Sequence, residues 1–297
     1  MWDELQFALI LTVSGLSIGL MYALIALGFV LVYKATDAIN FAQGEFVMLA
    51  GFVAAIALAG KLGVLGAVAA AVLVMVLFSF ALERVVLRPL LGRPIVAVIM
   101  ATIGLGAMLR GLPPITVGGE TRAVTLPIGD TPIEFGPISL PPVQVLGVVV
   151  TLLFLAIFTW FFLKSRMGVA MRAVADNQQV AMAMGINVER YFALAWAMAG
   201  TVSALGGVIW GSMLGVDVQL SLVGLKVFPV VILGGLDSIV GAVIGGLIVG
   251  VVESLAAGYL DPYVGGGTKD FAPYVLMILM LMFKPYGMFG THRIERV

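Results

Sequence analysis

The sequence predicts an all-α fold: a polytopic membrane helix bundle of about eight or nine transmembrane helices, some of them discontinuous. Three observations predict it. The chain is 62% hydrophobic and 11% charged, with a mean hydropathy of +1.16, whereas soluble domains are about half apolar and about a quarter charged. Its apolar runs repeatedly approach the roughly 20 residues that a helix needs to cross hydrocarbon. Neither strand-like alternation nor polar helix faces occur within those runs. Backbone polar groups in lipid must be paired within the segment, so the runs should be helices rather than barrel strands.

Taken in order, the apolar segments cover about 5–33, 46–59, 62–82, 95–110, 143–163, 191–214, 225–235, 239–258 and 271–283. The first is long for one crossing, and the seventh and ninth are short, so nine crossings are expected and eight or ten stay open. The opening "MWDELQF" carries acids and no basic stretch, which argues against a cleaved signal peptide. Small residues recur four apart in "GLSIG", "GVIWG", "GAVIG" and "GLIVG". That spacing puts glycines on one helix face and lets backbones approach closely, for packing or for sliding.

Basic residues set the sidedness. Lys34, Arg84, Arg88, Arg93, Lys164, Arg166, Arg172, Arg190, Lys284, Arg293 and Arg296 fall on one side; Lys61, Arg110, Arg122, Lys226 and Lys269 fall on or near the other. The larger set belongs in the cytoplasm. The amino terminus is then outside and the carboxyl terminus inside a multi-pass chain.

Two polar interruptions break the apolar pattern. "DAINFAQGEFVML" (37–49) places Asp37, Asn40, Gln43 and Glu45 between apolar runs. Segment 46–59 alone would give about 21 Å of helix, short of the roughly 30 Å hydrocarbon. Either the helix extends back into this stretch or it is broken there. The stretch is read as an exposed cytoplasmic loop or as a discontinuous helix lining a substrate path. In "VILGGLDSIVGAVIGG", Gly234 and Gly235 can end a helix, and Asp237 or Ser238 can cap the next. The similar placement of the two breaks hints at an internal repeat. Glu253 is expected near the outer interface, and no crossing is expected to hold a central charged relay.

Between 163 and 191, "DNQQVAMAMGI" carries its own helix punctuation: Asp176 as cap, Gln179 at the third position, and Gly185-Ile186 as a Schellman stop. The enclosed helix, 177–184, is too short to be stable alone in water, yet it bears Val180, Ala181, Met182 and Met184. It packs on the protein's own helix ends or docks into a groove on a soluble partner.

Several chemistries are excluded. Cysteine is absent, so there is no disulfide, thiol catalysis or cysteine metal site. Net charge is zero, with nothing to bind nucleic acid. His292 sits in a basic tail and is expected to be solvated. No glycine loop with Lys and Ser/Thr is present, so this chain should be no enzyme and hydrolyse no ATP. An ion-coupled secondary transporter or a channel stays open as a rival.

"MYALIALGFVLVY", "INFAQGE", "LERVVLRPLLGRP", "RAVADNQQVAMAMGI" and "GLKVFPVVILGGLDSIVGAVIGGLIVGVVES" together resemble, in order and over most of the chain, the LivH-type permease of bacterial branched-chain amino acid ABC importers. Members of that family commonly carry His where Gln43 stands and Gly where Asp237 stands. The resemblance implies one permease domain over 1–297 in the bacterial inner membrane. It implies passage of Leu, Ile or Val by alternating access, with urea, an amide or another amino acid as the alternative cargo. It implies a second homologous permease subunit, two cytoplasmic ATPase subunits that carry the ATP-Mg, and an external substrate-binding protein. No cofactor or metal is implied in this chain. A coupling loop would lie at about 164–190, with Arg172, Asp176, Ala181 and Gly185 engaging an ATPase, and an external loop at about 111–142. A zwitterionic cargo needs donors and acceptors along its path, and Ser14, Tyr22, Asn40, Gln43 and Glu45 are the candidates.

Overall fold

A computed structural model describes residues 2–90, 93–129 and 131–291. The expectations for His292, Arg293 and Arg296 lie outside the described residues. Helices dominate: α1 (Trp2–Thr36), α2 (Gln43–Ala59), α3 (Gly63–Leu82), α4 (Ile95–Thr116), α5 (Pro142–Lys164), α6 (Arg166–Asp176), α7 (Gln178–Ala183), α8 (Val188–Leu214), α9 (Val223–Gly234), α10 (Ile239–Tyr259), α11 (Asp261–Val264) and α12 (Thr268–Phe283). Among the described residues, six helices are long and apolar enough to cross a membrane: α1, the run begun by α3, α4, α5, α8 and α10. Helix α2 and the run Val218–Gly234 are shorter apolar helices. The protein leaves most of the apolar surface of α3, α4 and α5 uncovered, while α1 and α8 are largely enclosed. Uncovered apolar helices of this length belong against lipid.

The loop before α5 folds into a hairpin of β1 (Ile133–Phe135) and β2 (Ile138–Leu140), with Ile133 opposite Leu140. Gly136 takes the left-handed backbone conformation of the turn (φ +64°). Two flanking triplets that start with isoleucine are too short to announce themselves by alternation.

The chain forms two compact units. One comprises Leu31–Pro127 and Leu152–Gly224. Its centre is α2, α3 and α8, packed through small residues. A Cβ on Gly200 of α8 would lie 2.6 Å from the Met75 carbonyl oxygen of α3. One on Gly207 would lie 2.5 Å from the Val47 oxygen of α2. Phe46 fills the remaining space, with Phe78 at 5.5 Å and Trp196 at 6.2 Å between ring centroids. Such backbone approach compensates for the absence of a hydrophobic drive between helices in lipid.

The other unit comprises Met1–Val30, Ile128–Thr151 and Leu225–Val297. Here "GLSIG" and "GLIVG" interlock. A Cβ on Gly15 would meet the Gly250 oxygen at 2.6 Å, and one on Gly246 would meet the Gly19 oxygen at 2.5 Å. The break after α9 falls where the sequence placed it. Gly235 has φ +108°, and Ser238 caps α10 by accepting from the Gly241 N–H at 3.0 Å. Of the two candidate caps, Asp237 does something else: it accepts from the Thr291 N–H at 3.2 Å. The backbone N–H groups of Met288 and Phe289 satisfy the last carbonyls of α9, at Leu233 and Gly234. Between α10 and α12, Asp261 accepts from the Thr268 N–H at 2.9 Å. Hydrogen bonds from the Thr268 hydroxyl and backbone hold the Asp261 carboxyl below the usual carboxylate range.

Candidate functional site

The first polar interruption is a break inside the protein, not an exposed loop. Helix α1 ends where Asp37 adopts the left-handed region (φ +55°), which a short polar side chain tolerates better than a bulky one. Helix α2 starts at Gln43, so the helix does extend back, by three residues. Asn40 and Gln43 are fully buried and Glu45 is 4% exposed. The Phe41 N–H donates to Thr102 Oγ1 at 3.3 Å, and Thr102 is about 10 Å along α4 from its first residue at 1.5 Å per residue. The break therefore lies at the depth of a point about a third of the way along α4 from Ile95.

Its side chains form two groups. Asn40 Oδ1 accepts from the Ala42 N–H at 3.1 Å, and Asn40 Nδ2 donates to Gln43 Oε1 at 3.1 Å. Gln43 Nε2 donates to Ser203 Oγ at 2.9 Å, and Ser203 donates on to the Ala199 carbonyl. This chain satisfies an N–H that the broken helix orphans and ties α2 to α8. Glu45 is paired with Arg110 of α4, and Gly106 lies against the same carboxylate, where a Cβ would sit 3.2 Å from Oε2. Arg110 and Ser203 were not among the candidates. The spacing of α4 and α8 gives no sign of which residue meets the break.

The remaining candidates, Ser14 and Tyr22, lie on the part of α1 in the other unit. Gln144 Nε2 donates to the Ser14 carbonyl at 3.1 Å. Tyr22 is buried beside Glu253 of α10. Glu253 is 7% exposed, not solvent-facing, and Lys226 Nζ lies 3.6 Å from its Oε1 and 2.6 Å from Asp270 Oδ1. The three come from α9, α10 and α12, so their meeting depends on packing and not on spacing. Among the described residues no three His, Asp or Glu side chains gather as a metal-ligand set.

The orphan segment between α5 and α8 is two helices. Ser165 caps α6 by accepting from the Gly168 N–H at 2.9 Å. Asp176 was expected to cap the next helix but is the last residue of α6; Asn177 is the cap, accepting from the Val180 N–H at 3.0 Å. The chain turns at Asn177, which ends α6 and begins α7, so the cap shifts by one residue. The Schellman stop forms as read. Gly185 has φ +81°, its N–H donates to the Met182 oxygen at 2.9 Å, and the Ile186 N–H donates to the Ala181 oxygen at 3.0 Å. Ala181 is 2% exposed, whereas Val180, Met182 and Met184 are 58%, 56% and 78% exposed. Ala181 thus anchors α7 to its own protein and the other three face outward. Arg172 donates to the Phe162 carbonyl and lies 5.4 Å from the Phe162 ring centroid, which fastens α6 to the end of α5. Gln178 ties α7 to the end of α1, donating to the Ala35 carbonyl at 3.2 Å.

Residues 11–283 match the family described as branched-chain amino acid transport system, permease component. The chain belongs to this permease family. It is 35% identical over 302 residues, 96% of each chain, to the high-affinity branched-chain amino acid transport system permease protein BraD of Pseudomonas aeruginosa. It is 32% identical over 303 residues, again 96% of each, to the corresponding LivH protein of Escherichia coli. In fold it resembles the solved PsaBC of Streptococcus pneumoniae in complex with Fab, at TM-score 0.50 and 12% identity over 94% of this chain and 92% of that one. The permease is a multi-pass membrane protein and a transport component of an importer complex, not an enzyme. Within the permease, α8 follows the α6–α7 pair directly, and its Glu189 accepts from Arg88 at 3.0 Å while Arg88 also pairs with buried Glu83 at 3.0 Å. The end of α3, the start of α8 and the short helices are thereby linked.

Proposed function

We propose that the permease passes Leu, Ile and Val into the cell as the membrane-spanning part of a binding-protein-dependent ABC importer. Its whole length acts as one permease domain beside a second, homologous permease subunit. Two cytoplasmic ATPase subunits bind and hydrolyse ATP-Mg, and an external binding protein delivers cargo. The amino terminus lies outside the bacterial inner membrane and the carboxyl terminus inside. Substrate moves past the break at Asn40, Gln43 and Glu45 and past Ser14 and Tyr22 as the bundle alternates its open side. Asn40 and Gln43 hold the break in shape, and the Glu45–Arg110 pair offers both charges to a zwitterion.

The observation that carries this reading is α7. A six-residue helix holds its own cap and stop, buries Ala181 as an anchor and turns two methionines and a valine outward. Short apolar surfaces of this kind seat in a groove of a partner. Arg172, Asp176 and Gly185 then shape the prong that an ATPase grips. Replacing Met182 by Asp should abolish co-purification of the ATPase subunits and ATP-driven leucine uptake, with membrane insertion unchanged. Normal co-purification and uptake would reject the coupling role. Urea or amide uptake in place of leucine would reject the cargo.

A further inference from the structure

Glu253 is a carboxylate buried among helices with poor compensation. Its Oε1 has a loose ion pair with Lys226, at 3.6 Å, Tyr22 hydrogen-bonds to the carboxyl, and its Oε2 has no hydrogen-bond partner among the described residues. Lys226 is drawn instead to Asp270, at 2.6 Å, whose side chain is far more exposed than that of Glu253. Removing a carboxylate from water costs several kcal/mol, and charges inside a membrane bundle mark functional positions more often than structural ones. Three ionised groups sum to one excess negative charge, and the unanswered acceptor is the buried one.

We propose that Lys226, Glu253 and Asp270 form a subsite for the α-amino carboxylate head of the cargo. This rests on the amino acid reading above. A zwitterion is the group that fits without changing the charge of the site: its ammonium supplies N–H donors to Glu253 Oε2, and its carboxylate takes Lys226. Lys226 already stands between two carboxylates, so it can turn from Asp270 to the incoming carboxylate while Asp270, at the wetter end, is resolvated. Tyr274 donates to the Leu225 carbonyl at 3.0 Å, which holds α12 against the start of α9 and keeps Lys226 and Asp270 in register. A bare metal cation would leave Lys226 as a repelling neighbour, and an anion would meet the excess negative charge.

The test measures equilibrium binding to the full-length permease in lipid nanodiscs. The probes are leucine, 4-methylpentanoate, which lacks the ammonium, and 3-methylbutylamine, which lacks the carboxylate. The unaltered protein should bind leucine at least tenfold more tightly than either analogue. Glu253→Gln should remove the preference for leucine over 4-methylpentanoate while leaving affinity for that acid within twofold. Lys226→Met should remove the preference over the amine. A purely structural cluster would weaken all three probes alike. That result, unchanged leucine affinity in Glu253→Gln, or no binding of leucine to the unaltered protein would overturn the proposal. If Glu253→Gln does not fold, Asp270→Asn asks the same question from the exposed end: with the carboxylate that competes for Lys226 gone, leucine affinity should rise at least threefold, and an unchanged or lower affinity overturns the site. ATP-driven uptake by the intact importer is read separately. Leucine uptake with probe binding indifferent to Glu253 defeats the subsite alone, whereas transport of a non-amino-acid cargo without leucine uptake defeats the cargo reading.

Discussion

Gln43 illustrates how a single amide can organise a membrane protein. Its two ends connect Asn40 to Ser203, so the residue that opens α2 is also the one that ties the break to α8. In lipid-like surroundings an orphaned donor has no water to turn to. Gln43→Leu should leave Asn40 Nδ2 and the Ser203 hydroxyl short of partners and destabilise the permease by about 1–3 kcal/mol. Thermal unfolding in detergent measures that loss, and uptake should fall with it. An unchanged unfolding temperature together with unchanged uptake would reject the role. The presence of a polar break was legible in "DAINFAQGE", because charges and amides are conspicuous in an apolar chain. Its partners were not. Arg110 reads in the sequence as a residue near the outer end of a crossing, and only the packing of α4 beside α2 brings it to Glu45.

At the scale of elements, small residues decide which helices touch. Gly246 of α10 faces Gly19 of α1 so closely that a Cβ would lie 2.5 Å from a carbonyl oxygen and 2.9 Å from Ala23 Cβ. Backbone atoms cannot yield as a side chain can. Gly246→Leu should therefore part the two helices and cost at least the 1–3 kcal/mol typical of overpacking. Gly104→Leu on α4 is the control, since among the described residues nothing beyond its own stretch of helix lies within 4 Å of its Cβ position, and it should unfold at the original temperature. Equal behaviour of the two variants would show that close approach is not what holds α1 to α10. The four-residue spacing was visible beforehand, but not the pairing: "GLIVG" meets "GLSIG", whereas "GAVIG" serves the contact with α9 through Gly241 against Gly234 and Gly245 against Val230. The prong shows the same division. Its stop signal at Gly185 was legible because few residues accept φ +81°. Which of its apolar residues point outward was not, since a six-residue helix is too short for periodicity to define a face.

For the whole molecule, sidedness and energy source are the testable properties. The chain contains no cysteine, so single cysteines can be labelled without background. In intact cells a membrane-impermeant maleimide should modify Glu120→Cys in the external loop. It should reach Gln179→Cys on α7 only after permeabilisation. The reverse pattern would invert the proposed topology. In proteoliposomes holding the intact importer, leucine uptake should require ATP on the α7 side and persist when a protonophore collapses ion gradients. Uptake driven by an ion gradient alone would favour the secondary-transporter alternative, in which the Lys226–Glu253–Asp270 cluster would take a different meaning.

The sequence by itself determined the medium, the helical class, the positions of the breaks and the stop signal of the short helix at Gly185. Each depends on neighbours along the chain: run length against bilayer thickness, glycine at a left-handed turn, a polar residue at an orphaned N–H. Tertiary structure alone decided that the first break lies deep in its unit, that Glu45 finds Arg110, that Ala181 points inward, and that Lys226 and Asp270 meet a buried Glu253. Those facts depend on which helix faces meet. In a chain apolar on nearly every face, no amphipathic stripe records that choice; the fit of glycines against backbones makes it.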